Sequence, residues 1–225
     1  MTNGFRNINW DAVGDAFSDP NLLPGNFFNA NSPRGLLMQT PGVGFLLSAD
    51  LDNPAGRPIE FGGIDPTYPS SFQPFTAERL FVAAGSTITL NSFFVPSSPG
   101  SAASVFGFGV VFTDVDILGS TSLEFFNLNG LSLGVFDAPV QNNGFSFLGV
   151  SFDGGELVGS VRITSGNVFL GAGSDGGTID VVAMDDFMYS EPQSIVPEPG
   201  TTALLFLGIG GTAALRRRSE VPAGV

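Results

Sequence analysis

No stretch of residues 1–192 carries the apolar stripe of a long amphipathic helix. Instead, 31 glycines and 16 prolines punctuate the chain throughout, and the apolar runs between them are short. Glycine supplies the positive φ of tight turns, and proline withholds a ladder donor. A chain punctuated in this way is pushed towards short strands joined by turns. Residues 105–112 show the pattern most cleanly: Phe106, Phe108, Val110 and Phe112 share one face, with Gly107 and Gly109 on the other. Further strands are predicted at 5–10, 43–49, 79–83, 87–95, 123–128, 131–136, 145–152, 157–164 and 179–189. Residues 1–42 otherwise read as an extended lead-in.

Asn129-Gly130 predicts a hairpin between 123–128 and 131–136. Asp153-Gly154-Gly155 predicts a second one, between 145–152 and 157–164. Residues 96–101 read as a loop or hairpin tip. About eight to ten strands at such spacing predict an all-β fold: one antiparallel β-sandwich or jelly-roll-like domain over residues 1–192. No internal repeat emerges, which disfavours a propeller or solenoid. With 43% hydrophobic residues, 23 of the 225 being phenylalanine, the chain has material for a sizeable core.

Three residue types are missing. Histidine, lysine and cysteine do not occur, and all eight basic residues are arginine. That removes the Ser-His-Asp triad, the histidine or thiolate metal site, the lysine Schiff base, the P-loop lysine and any disulfide. Carboxylates, arginine, hydroxyls and oxygen-liganded metals survive. The net charge is −13, so no basic face is available for nucleic acid.

The tail is organised differently. Residues 193–200 form a Pro-rich linker containing Val196-Pro197-Glu198-Pro199, which two prolines hold extended. Residues 201–215 are uncharged and read as a short hydrophobic transmembrane helix. At 1.5 Å per residue they cover roughly 22 Å, against a bilayer core about 30 Å thick. Arg216, Arg217 and Arg218 open a basic tail, 216–225, placed on the cytoplasmic side by the positive-inside rule.

Pro197-Glu198-Pro199, the apolar stretch and the arginine block together resemble the C-terminal signal of PEP-CTERM sorting-domain proteins. The resemblance covers about residues 195–218. It implies an exported protein of a Gram-negative bacterium, recognised and processed by the membrane-embedded sorting enzyme exosortase. The helix would hold the chain in the membrane only transiently, and Arg216, Arg217 and Arg218 would stop translocation. It further implies a place in the cell envelope or extracellular matrix, near exopolysaccharide and biofilm. Such proteins begin with a secretory signal peptide. Residues 1–10 show no basic or apolar region of that kind, so an export signal upstream of Met1 is expected. The body also resembles other PEP-CTERM proteins of unassigned function, at residues 112–116, 146–150, 161–163 and 184–192.

Within the body, Asp114 and Asp116 lie two apart at a strand end and should share a face. Asp185 and Asp186 are adjacent, and should point to opposite faces unless a bulge turns both. The Gly/Asp-rich stretch 171–180 offers carboxylates and carbonyls with free backbone geometry, which suits calcium. Asp114, Asp116, Asp185 and Asp186 are therefore the candidate metal ligands. The competing explanation is that the first two cap a strand and Asp186 binds loop amides. No cofactor is expected otherwise.

A glycosidase would need two carboxylates across a cleft, for which Asp114, Asp116, Glu124 and Glu156 could be nominated. A carbohydrate-binding module would need aromatic platforms, and only Trp10, Tyr68 and Tyr189 are of that type. Arg162 is expected in a surface ion pair, and the phenylalanines mostly in the core. The leading expectation is a non-enzymatic surface or matrix protein. A calcium-stabilised carbohydrate-binding module is the alternative, and a carboxylate hydrolase is less favoured.

Overall fold

The computed structural model describes residues 4–195. Thirteen strands run through them: β1 (Phe5–Ile8), β2 (Leu36–Gln39), β3 (Gly44–Leu47), β4 (Phe81–Ala84), β5 (Ile88–Val95), β6 (Ser98–Ser104) and β7 (Gly107–Val115), then β8 (Ser122–Asn127), β9 (Ser132–Asp137), β10 (Gln141–Ser151), β11 (Val158–Thr164), β12 (Ala183–Ser190) and β13 (Gln193–Ser194). Helical geometry is confined to single turns at Asp15–Phe17, Phe27–Asn31 and Tyr68–Ser71. The all-β expectation holds, with every strand pairing antiparallel.

The strands form two sheets. One has the order β10-β7-β12-β4-β3, with β1 added to β12; the other runs β13-β6-β5-β11-β8-β9, with β2 added to β5. Phe108, Val110 and Phe112 of β7 point from the first sheet into the main core, as their alternation predicts. There they meet Leu36, Phe93, Leu123, Phe125, Val161 and Ile163 of the second. Phe93 and Phe108 approach to 6.1 Å between ring centroids. Burying each such side chain contributes about 1.5–3 kcal/mol. A smaller cluster, including Phe61, Tyr68, Phe72, Leu80 and Val82, lies where the excursion between β3 and β4 packs onto the first sheet.

Several expectations need correction. Residues 1–42 are not a lead-in: Ile8, Trp10, Leu23, Phe28, Leu36 and Met38 are buried in the main core. Short, weakly periodic segments here gain order from the sheets they join. Asp153–Gly155 does not close a hairpin. β10 pairs with β7 in the first sheet, while β11 lies between β5 and β8 in the second. The turn reverses the chain, but the long ladder with β7 holds β10 on the other side of the core. The reversal at 96–101 is confined to Pro96 and Ser97, the latter at φ 66°, and Ser98 already begins β6. β12 begins at Ala183 rather than 179. Gln193 and Ser194, assigned to the linker by sequence, pair with Ser104 and Ala103 of β6. The rest of the linker, the hydrophobic stretch 201–215 and the basic tail 216–225 lie outside the described residues.

Candidate functional site

The pairing of Thr113 with Ala183 decides where the acidic residues meet. In an antiparallel pair, residues following 113 must run beside those preceding 183. The end of β7 is thereby brought against the 171–180 stretch. Opposite Asp114 the β10 register slips, with Gln141 facing Val115 and Phe145 facing Thr113. Three residues of β10 therefore bulge past one of β7. Asp114 adopts φ 68° and Asn143 φ 50° at this point. The Asn143 amide donates to Asp114 Oδ1 at 2.7 Å.

The 171–180 loop is held from two sides. The Tyr68 hydroxyl, on a side chain in the smaller core, accepts from the Gly171 amide at 2.9 Å and donates to the Gly173 carbonyl at 3.3 Å. At the other end, Asp175 Oδ1 accepts from the Val181 amide at 2.9 Å. Asp114, Asp116 and Asp175 consequently converge, each placing an oxygen within 4.8 Å of the others. Asp114 is buried, and Asp116 and Asp175 are half-buried. Burial pushes the Asp114 carboxyl up to about 7 against the opposing Asn143 hydrogen bond, with Asp175 and Asp116 adding repulsion. Asp116 is raised for the same first reason, and then by Asp175 and Asp180.

Asp180 has a different task. It accepts from the Asp116 and Ile117 amides at 3.2 and 3.1 Å and from the Ser120 hydroxyl, capping the turn after β7. Asp185 and Asp186 do not join the trio. A register shift between Met184 and Phe187 places both in a bulge of β12. Thr76 Oγ1 bonds to both carboxylates, at 3.2 and 2.9 Å, so the bulge turns them towards a common partner. Asp185 also accepts from the Phe75 and Thr76 amides, and Asp186 from Asn7 Nδ2 at 3.1 Å. The four-aspartate set is thus split two and two, and the third carboxylate beside Asp114 and Asp116 is Asp175. The glycine-rich run around 175 was the available signal, but only the β7–β12 pairing selects this residue.

The remaining nominees disperse. Glu124 is paired with Arg162, and Glu156 is exposed. Trp10, Tyr68 and Tyr189 are all buried, leaving none as a stacking platform. Phe145 and Phe147 are among the exposed large apolar side chains. Among the described residues, no helix is long and apolar enough to cross a membrane.

No curated protein matches the chain. Among solved structures it is similar to the enzymatically active domain of tailspike protein 4 of bacteriophage CBA120, at 13% identity and a TM-score of 0.33. That match covers 74% of this chain and 20% of the other, so the chain spans about a fifth of the length of that protein. Residues 196–218 match the family model of the PEP-CTERM protein-sorting motif. The chain therefore carries this sorting signal, and Pro197, Glu198, Pro199, Arg216, Arg217 and Arg218 all fall within it. Such a signal implies an exported protein that passes an exosortase-dependent step at a membrane.

Proposed function

We propose that this is a non-enzymatic protein of the cell surface or extracellular matrix. Its β-sandwich body is delivered by the C-terminal signal and serves as a structural or adhesive component near exopolysaccharide. The observation that carries this reading is the match of residues 196–218 to the sorting motif. In this mechanism Pro197, Glu198 and Pro199 are read by exosortase. Residues 201–215 hold the chain briefly in the bilayer, and Arg216, Arg217 and Arg218 stay on the cytoplasmic side. A non-catalytic role is supported by the separation of Glu124 and Glu156 from the Asp114–Asp116 pair and by a residue repertoire without histidine, lysine or cysteine. A carbohydrate-binding module would have to stack sugars on phenylalanine, since Trp10, Tyr68 and Tyr189 are in the interior.

The test expresses the full chain behind a working signal peptide in an exosortase-bearing host and follows processing and fractionation. The processed body should reach the envelope or matrix fraction, and Glu198→Ala should leave an unprocessed, membrane-held form. Cytoplasmic retention of the parent, or normal processing of Glu198→Ala, would overturn the sorting mechanism. Loss of the matrix fraction after polysaccharide depletion tests the exopolysaccharide association; an unchanged fraction counts against it.

A further inference from the structure

Three carboxylates meeting at one point repel each other, and two observations show that the described body supplies neither a complete set of donors nor a cation to offset it. First, Asp114 Oδ2 and Asp116 Oδ1 are buried and receive no hydrogen bond. Asp114 itself is 1% exposed. A buried acceptor without a donor loses its hydration with nothing in return. Second, every arginine among the described residues is engaged elsewhere. Arg6 pairs with Glu191, Arg57 with Asp19, Arg79 with Asp15 and Asp50, and Arg162 with Glu124. Arg34 donates to the Asn7 carbonyl at 2.9 Å. With no lysine or histidine anywhere in the chain, the described body has no side-chain cation for this trio.

We propose that Asp114, Asp116 and Asp175 form a calcium site that clamps the end of β7 to the 171–180 loop. The donor set is purely hard oxygen, which selects an alkaline-earth ion over zinc or copper. Two oxygens bound to one Ca²⁺ at 2.3–2.6 Å lie at most about 4.6–5.2 Å apart, and the three oxygens here fall within 4.8 Å. Calcium also accepts six to eight ligands in irregular geometry, whereas Mg²⁺ demands a near-ideal octahedron. Backbone carbonyls and water would complete the shell. The site would bind in the sub-millimolar range of extracellular calcium modules, roughly 0.1–1 mM. The assignment does not depend on the sorting signal, because these residues belong to the body.

The experiment is thermal unfolding and calorimetric Ca²⁺ titration of the full chain. In 10 mM Ca²⁺ the Tm should rise by about 3–10 °C over chelator, with one ion bound per chain. Asp116→Asn and Asp175→Asn should lose most of that rise. In chelator both should melt at or above the parent, because each removes one repelling charge and keeps an acceptor oxygen. The exposed control Glu156→Gln should respond as the parent does. A parent whose Tm and titration heats ignore Ca²⁺ would refute the site, even if a variant failed to fold. Retention of the full Ca²⁺ response in Asp175→Asn would refute the ligand set. An equal response to Mg²⁺ would refute the choice of calcium.

Discussion

The indole Nε1 of Trp10 donates a 2.6 Å hydrogen bond to the backbone carbonyl of Asp185. The acceptor sits in the β12 bulge, between the stretch paired with β1 and the single pairing of Met184 with Phe81 of β4. Ladder hydrogen bonds are interrupted at such a bulge, and the indole supplies the missing donor. The same ring stacks on Phe81, with centroids 4.1 Å apart and planes 4° from parallel.

Replacing that donor separates its two contributions. Trp10→Phe keeps most of the packing but orphans a buried carbonyl, and should cost about 1–3 kcal/mol. Trp10→Ala loses the packing as well and should cost about 3–5 kcal/mol. Urea unfolding measures both, and an unchanged m-value would assign the loss to the native state. Equal stability of Trp10→Phe and the parent would show the hydrogen bond to be energetically silent.

Arg79 and Arg162 offer a matched pair of ion pairs that differ in burial. The Arg79 side chain is 3% exposed and bonds to Asp15, Asp50 and the Ser48 carbonyl. That of Arg162 is 49% exposed opposite Glu124. Arg79→Ala strips the buried Ser48 carbonyl and the half-buried Asp15 and Asp50 carboxylates of their donor and should cost about 2–3 kcal/mol. Arg162→Ala should cost about 1 kcal/mol or less, and less still in high salt. Comparable losses in denaturant titrations of the two variants would contradict this ordering.

Asp185 makes stability depend on pH. Burial pushes its carboxyl from the ordinary 3.8 up to about 7, against the opposing Phe75 and Thr76 amides, with Asp186 adding repulsion. The folded body therefore holds a proton that the unfolded chain has released. Its contribution is fully present below about pH 4, declines as pH rises to about 7, and is gone above that. Melting in chelator across pH 4–8 should show this decline, to which Asp114, raised to about 7 as well, adds its own share. Asp185→Asn should make the slope shallower without abolishing it, and an identical slope in the variant would exclude Asp185 as a source.

Two glycines separate backbone strain from collision. Gly166 has φ 71°, and a Cβ there would lie 2.2 Å from the Asp180 carbonyl oxygen. Gly119 has φ 80° with nothing within 4 Å of a Cβ. Gly119→Ala should cost about 1–2 kcal/mol, the left-handed penalty alone. Gly166→Ala should cost roughly 3 kcal/mol or more, because the Asp180 backbone must move. Differential scanning calorimetry resolves the difference.

The sequence revealed elements whose signal is local. Strand β7 follows from strict alternation, and the β8–β9 hairpin from Asn129-Gly130, where Gly130 takes φ 75°. β6 was hidden because Ser98–Ser104 reads SPGSAAS and offers no apolar period. β2 was hidden because Leu36–Gln39 reads LLMQ, which offers no alternation of apolar and polar residues. The choice of edge for β11 depends on partners far away in the chain, which turn chemistry does not encode. The same limit applied to the acidic site. The Asp114–Asp116 spacing was visible, but Asp175 becomes their neighbour only through the Thr113–Ala183 pairing.

β12 lies in the interior of the first sheet, with β7 along one side and β1 and β4 along the other. It is also the last long strand in the body. If the chain crosses a membrane amino end first, β7 on one side, and β1 and β4 on the other, emerge without the strand that joins them. Native closure must then wait until residues 183–190 have cleared the channel. The topology would act as a timer, keeping the body open and threadable through most of its passage and letting it fold only near the end.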